Sequence, residues 1–123
     1  MAVKIREINH IVVFDVEGNI RRSEADAVVL HQHVKDQLEL GKRRFLFNLE
    51  KVDYVDSFGV GEFIASFTSV RNLGGTLKLM KIPKKLLTIF QVTGLIRVFG
   101  TIYENEETAL KSFTETSFGP PPG

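Results

Sequence analysis

Residues Arg44 to Leu49 read RFLFNL, an almost unbroken apolar run. A strand with one wet face alternates apolar and polar residues, whereas a strand covered on both faces need not. The run therefore predicts an interior strand of a sheet sandwiched between other layers. What precedes and follows it has to supply those layers.

Upstream, Val3 to Ile8 alternates in character, Asn9-His10 suits a two-residue turn, and Ile11 to Val16 forms a second, more apolar strand. Gly18-Asn19 is expected to close this hairpin. Ser23 reads as a helix N-cap with Asp26 in the capping-box position. Ala27, Leu30, Val34 and Leu38 then make one apolar helical face, and Gly41 stops it. Downstream, Val60, Phe63, Ile64, Phe67 and Val70 give the buried stripe of a second helix, with Glu62, Ser66, Ser69 and Arg71 facing out. Gly74-Gly75 ends that helix and Thr76 to Met80 reads as a strand. Pro83 opens a third helix carrying Leu86, Leu87 and Phe90, and Gly94 ends it. Val98 to Tyr103 reads as a final strand, and Asn105 caps a last helix with Ala109, Leu110 and Phe113.

Strands separated by helices of roughly 10 to 18 residues require crossover connections, hence a mixed, mostly parallel sheet. The expectation is an α/β fold of about five strands and about four helices. The 123 residues suit one domain. Its span is set at residues 1–113. Residues 114–123, ending Phe-Gly-Pro-Pro-Pro-Gly, read as a disordered or polyproline-like tail.

Charge and composition exclude several functions. The 16 basic and 15 acidic residues leave a net charge of +1, which argues against a direct nucleic-acid footprint. Without cysteine there is no disulfide, thiolate nucleophile or cysteine-bound zinc. No apolar run approaches the roughly 20 residues that span a bilayer, and the start lacks a signal peptide's regions, so no membrane partner and a cytoplasmic location are expected. Neither GxxxxGK[ST] nor a strand-linked GxGxxG occurs, and no serine sits in a Gly-x-Ser-x-Gly elbow. His31 and His33, two apart on a helix, point about 200° apart and cannot share a metal. With His10 in a turn, the three read as surface histidines. Glu106 and Glu107 fall in a first helical turn, where carboxylates suit the helix dipole. Lys42-Arg43-Arg44, Lys84-Lys85 and Arg21-Arg22 read as solvated surface. The chain is expected to be a protein-binding domain that is not an enzyme and needs no cofactor.

One segment stands apart. Asp56-Ser57-Phe58-Gly59-Val60-Gly61 opens a helix with two glycines, each costing about 0.5–1 kcal/mol against alanine. Bare glycines let another surface approach the backbone. Equally, they could simply be tolerated behind a plain Asp/Ser cap. Ser57, at or beside the N-cap, should carry an exposed hydroxyl.

The stretch from Asn48 to Gly61, Asn-Leu-Glu-Lys-Val-Asp-Tyr-Val-Asp-Ser-Phe-Gly-Val-Gly, closely resembles the signature of STAS domains, the anti-sigma factor antagonist family. That signature is a strand ending in Asp/Asn-Leu, a spacer, then Asp-Ser-Ser/Thr-Gly-Leu/Val-Gly opening a helix. Val16-Glu17-Gly18-Asn19-Ile20 resembles the family's Gly-x-Leu turn, and Gly74-Gly75 and Phe90 with Gly94-Leu95 match further on. The likeness runs from about Val3 to Phe113 and implies the STAS fold.

It also implies a function. In the family, an anti-sigma factor that is a serine kinase phosphorylates the serine corresponding to Ser57. The unphosphorylated form binds that kinase and releases a sigma factor, and a serine phosphatase of the PP2C type resets the cycle. By position, the partner-binding residues would be Asp56, Ser57, Phe58, Gly59, Val60, Gly61, Glu62 and Arg21. Phe58 departs from the family's second Ser or Thr, and Arg21 stands where an acidic residue often occurs. Within the same fold, the alternative is a constitutive scaffold, stressosome-like or a lipid-transport accessory protein, with Ser57 as a structural cap only.

Overall fold

The computed structural model describes residues 1–22 and 29–116. In chain order the elements are β1 (Ala2–Ile8), β2 (Ile11–Ile20), α1 (Val29–Glu39), β3 (Arg44–Val55) and α2 (Ser57–Asn72). There follow β4 (Thr76–Met80), α3 (Lys84–Val92), α4 (Leu95–Phe99), β5 (Ile102–Tyr103) and α5 (Glu106–Thr116). The five strands lie side by side in chain order, β1 antiparallel to β2 and the others parallel. This is the mixed, mostly parallel α/β sheet expected.

Asn9 and His10 form the β1–β2 turn with φ of 51° and 66°. Two positive φ values in a row define a two-residue hairpin turn whose twist matches that of the strands. Along β2 the side chains alternate between two covered faces. Val12, Phe14 and Val16 pack with β3's Phe45, Phe47 and Leu49 under α1 to α4, while Ile11 and Val13 join Leu46 and Met80 under α5. Two-sided cover is why β2 opens with the apolar run Ile11 to Phe14 and β3 with Phe45 to Phe47. On the first face a relay of rings runs from Phe14 to Phe47 at 5.4 Å, Phe47 to Phe63 at 5.9 Å and Phe63 to Phe90 at 5.5 Å.

On the other face, α5 is tied to the sheet by charge. Asn105 Oδ1 accepts the Thr108 N–H at 2.8 Å and starts the helix. Arg6 donates through Nε and Nη2 to both oxygens of Asp15, at 2.7 and 2.9 Å. Nη2 also donates to Glu106 Oε1 at 2.7 Å, and Asn48 Nδ2 donates to Asp15 Oδ1 at 2.9 Å. One guanidinium thus links β1, β2 and α5.

Several expectations are corrected. Gly18-Asn19 does not end β2, which continues to Ile20. Gly18 takes φ +88°, and the register against β3 shifts twice, at Asp15/Glu17 and Gly18/Asn19. The proposed last strand is split: Leu95–Phe99 is a turn of helix, and Gly100 at φ 71° breaks the chain before β5. The described residues therefore hold five helices rather than four. On α2 the stripe is rotated, so that Ser66 is fully buried and Ile64 is 40% exposed. α5 continues through Thr116, beyond the proposed boundary at residue 113. The proposed cap at Ser23, with Asp26 and Ala27, lies outside the described residues, as do residues 117–123.

Candidate functional site

Because β2 and β3 run parallel, their ends emerge on the same edge, with Ile20 opposite Val55. The next residue of β3's chain, Asp56, is the N-cap of α2. Its backbone is extended (φ −98°, ψ −173°), and its Oδ1 accepts the Gly59 N–H at 2.9 Å. A capping carboxylate satisfies one of the orphan N–H groups of a first helical turn. Asp56 is also bound to β2: its N–H donates to the Ile20 carbonyl at 3.3 Å, and its Oδ2 accepts the Arg22 N–H at 3.2 Å. Partial desolvation opposes ionisation, but the backbone donors of Gly59, Arg22 and Phe58 outweigh it, and the carboxyl is held below its ordinary value of 3.8. At neutral pH the cap is an anion.

Ser57 is the first residue of α2 and is exposed. Asp56 performs the capping, so the Ser57 hydroxyl makes no hydrogen bond among the described residues. It therefore has no structural duty at the cap. Phe58 is half-buried, and the Arg22 guanidinium carbon stands 5.4 Å from its ring centre. Arg22 went unnoticed in the sequence, where it read as one half of a solvated Arg21-Arg22 pair. The signal was the parallel strand order, which brings the residues just after β2 beside those just after β3.

The two glycines have opposite reasons. A Cβ on Gly59 would collide with the Ile20 carbonyl oxygen and come within 2.8 Å of Val55 Cγ1. Gly59 is thus needed where α2 presses on β2. A Cβ on Gly61 would meet nothing within 4 Å. Packing among the described residues does not account for Gly61.

The remaining proposed contact residues are dispersed. Val60 is buried in the core, only 8% exposed. Glu62 is half-buried, and its Oε1 accepts the His31 N–H at 3.1 Å. Arg21 is half-buried and has an interaction of its own. The structure therefore brings Asp56 and Phe58 against Arg22, leaves Ser57 and Gly61 exposed, and turns Gly59 and Val60 inward. His31 is more than a surface residue: its Nε2 lies 2.8 Å from Ser69 Oγ and joins α1 to α2.

Among the described residues no group of three or more His, Asp or Glu could hold a metal ion, and no helix is long and apolar enough to cross a membrane. A cleft of about 500 Å³ opens near the start of α3, lined by Lys81, Lys84 and Tyr103 among others and by none of residues 56–62.

The site is thus an exposed serine just after a capping aspartate, at one end of a five-stranded mixed sheet. The chain belongs to the STAS domain family, whose model matches residues 2–109. Over 97 residues, 76% of this chain and 79% of the relative, it is 33% identical to an anti-sigma-B factor antagonist of Listeria monocytogenes. Over a shorter 47-residue stretch, 38% of this chain and 43% of the relative, it is 43% identical to the anti-sigma-B factor antagonist of Bacillus subtilis. Among solved structures, the phosphorylated form of the Bacillus cell fate determinant SpoIIAA superposes with a TM-score of 0.70 at 20% identity. That likeness covers 91% of this chain and 99% of the other, and speaks for the fold.

Proposed function

We propose that this protein is an anti-sigma factor antagonist that binds an anti-sigma factor serine kinase while Ser57 is unmodified. In this reading the kinase transfers the γ-phosphoryl group of ATP to Ser57 Oγ, with loss of the hydroxyl proton and departure of ADP. A serine phosphatase of the PP2C type returns the hydroxyl by hydrolysis. Sigma factor is free when the kinase is held by the unmodified protein and captured when it is not.

The observation that carries this reading is the division of labour at the turn. Asp56 caps α2, which leaves the Ser57 hydroxyl exposed and without a hydrogen-bond partner among the described residues. Open space around Gly61 supports it, since a partner's backbone can approach there. Phosphorylation adds about −1.5 to −2 charge. The domain tolerates an anion at a helix start, but a partner packed over the turn would have to desolvate it beside Asp56. A loss of about 3–4 kcal/mol weakens binding by a few hundredfold.

The test is titration calorimetry of the purified anti-sigma kinase against Ser57→Ala and Ser57→Asp. Tight binding by the alanine variant and binding at least about tenfold weaker by the aspartate variant, a difference of about 1.4 kcal/mol, is the expected result. Equal affinities would reject the switch.

A further inference from the structure

Arg22 has two attachments at the turn, and they act on different parts of it. Its backbone N–H is held by Asp56 Oδ2 at 3.2 Å, which fixes its main chain beside Ser57. Its side chain is exposed and rests over Phe58, the residue on the far side of Ser57, with 5.4 Å between guanidinium carbon and ring centre. Its charge is already felt locally, since it helps hold the Asp56 carboxyl ionised. The head group is thus a cation whose root is tied to Asp56 and which is held over Phe58 by a contact that is weak at an exposed site. Asp56 and Phe58 are the two chain neighbours of Ser57.

We propose that Arg22 is the ligand within this chain for a phosphoryl group on Ser57, which draws its guanidinium off Phe58. The inference rests on the reading of Ser57 as the acceptor. Once the new O–P bond to Ser57 Oγ has formed and the bond to ADP has broken, the phosphoryl oxygens carry close to two negative charges one residue from the ring. A guanidinium donates to phosphate through two parallel N–H groups, an interaction stronger than its stacking on an exposed ring. The modified turn then differs from the unmodified one in two respects. It carries a partly neutralised phosphate, and Phe58 has lost its cover. A partner that reads Arg22 over Phe58 loses that feature at the moment it meets the new charge. Arg21, the adjacent cation in sequence, is half-buried with an interaction of its own.

The experiment uses the full chain with phosphoserine inserted at position 57 by genetic encoding, so that no kinase is needed. Phosphorus NMR follows the second ionisation of the phosphate, whose ordinary midpoint is about 6. The midpoint should lie about half a unit lower with Arg22 than with Arg22→Gln, since a cation favours the dianion. Arg22→Lys should recover part of that shift, because an ammonium supplies charge without the planar fork. Arg21→Gln should leave the midpoint where it was. The Phe58 ring signals should move on phosphorylation in the parent chain but not in Arg22→Gln. Equal midpoints with and without Arg22 overturn the proposal. An equal effect from Arg21→Gln also overturns it, because a diffuse field would then suffice. If the clamp is absent yet the phosphoserine protein still fails to bind the kinase, the switch stands without it. If the clamp is present but binding is unaffected, the functional reading fails alone.

Discussion

The α-carbon of Gly59 lies against the carbonyl oxygen of Ile20, so closely that no side chain fits between them. This contact sets the rotation of α2. With Gly59 against the sheet, the residues one, two and three turns on that share its face are Phe63, Ser66 and Val70, and these are buried. The same contact holds the Ile20 carbonyl where the Asp56 N–H can donate to it. The exposure of Ser57 therefore depends on a glycine two residues away.

Gly59 and Gly61 should respond oppositely to alanine. Gly59→Ala forces overpacking against main chain, which costs about 1–3 kcal/mol. Gly61→Ala meets open space and should stabilise the helix by about 0.5–1 kcal/mol, while weakening any partner that needs the bare backbone. Urea denaturation of the two variants separates them. A Gly59→Ala midpoint equal to that of the parent chain would show that α2 can step away from β2.

The sequence made some of this legible and hid the rest for identifiable reasons. The two-sided burial of β2 and β3 was readable because their first halves are almost unbroken apolar runs, and Asn9-His10 was readable because few residues accept positive φ. The serine turn was readable from its motif. The face of α2 was misread because apolar spacing favours Ile64, whereas the deciding constraint is a backbone oxygen on another strand. Val98 and Phe99 look like strand residues, yet they continue a short helix begun after Gly94, whose φ of 79° restarts the chain. Arg22 escaped because its significance lies in the β2–β3 pairing, a contact between residues 34 apart in sequence.

Ser66 shows what the rotation of α2 costs. Its hydroxyl is fully buried and has no hydrogen-bond partner among the described residues. An unsatisfied buried hydroxyl destabilises by about 1–3 kcal/mol in mutational series, and alanine is the better helix former. Ser66→Ala should raise stability by about 1 kcal/mol, or several degrees in thermal midpoint. Ser66→Val, which adds volume to a packed face, should not. A fall in midpoint for the alanine variant would mean that the hydroxyl finds a partner in solution, such as a buried water.

The Arg6 clamp gives the domain a defined response to acid. For Asp15, partial burial opposes ionisation, but the hydrogen bonds from Arg6 and Asn48 outweigh it and hold the carboxyl below 3.8. Arg6 does the same for Glu106, below 4.5, against that group's own desolvation. Both carboxyls are thus more acidic folded than unfolded. Their stabilisation is complete above the unfolded values and is lost as pH falls through the folded ones. Arg6→Ala removes the shared donor and leaves the two carboxylates repelling each other across the gap. With all three groups about a quarter to a third exposed, the loss at pH 7 should be about 1–2 kcal/mol. It should shrink as pH drops below about 4.5 and the carboxyls protonate. Denaturation curves of parent and variant at pH 7 and near pH 3 measure the difference directly. If the gap between them stayed constant across that range, β1, β2 and α5 would be held by packing alone.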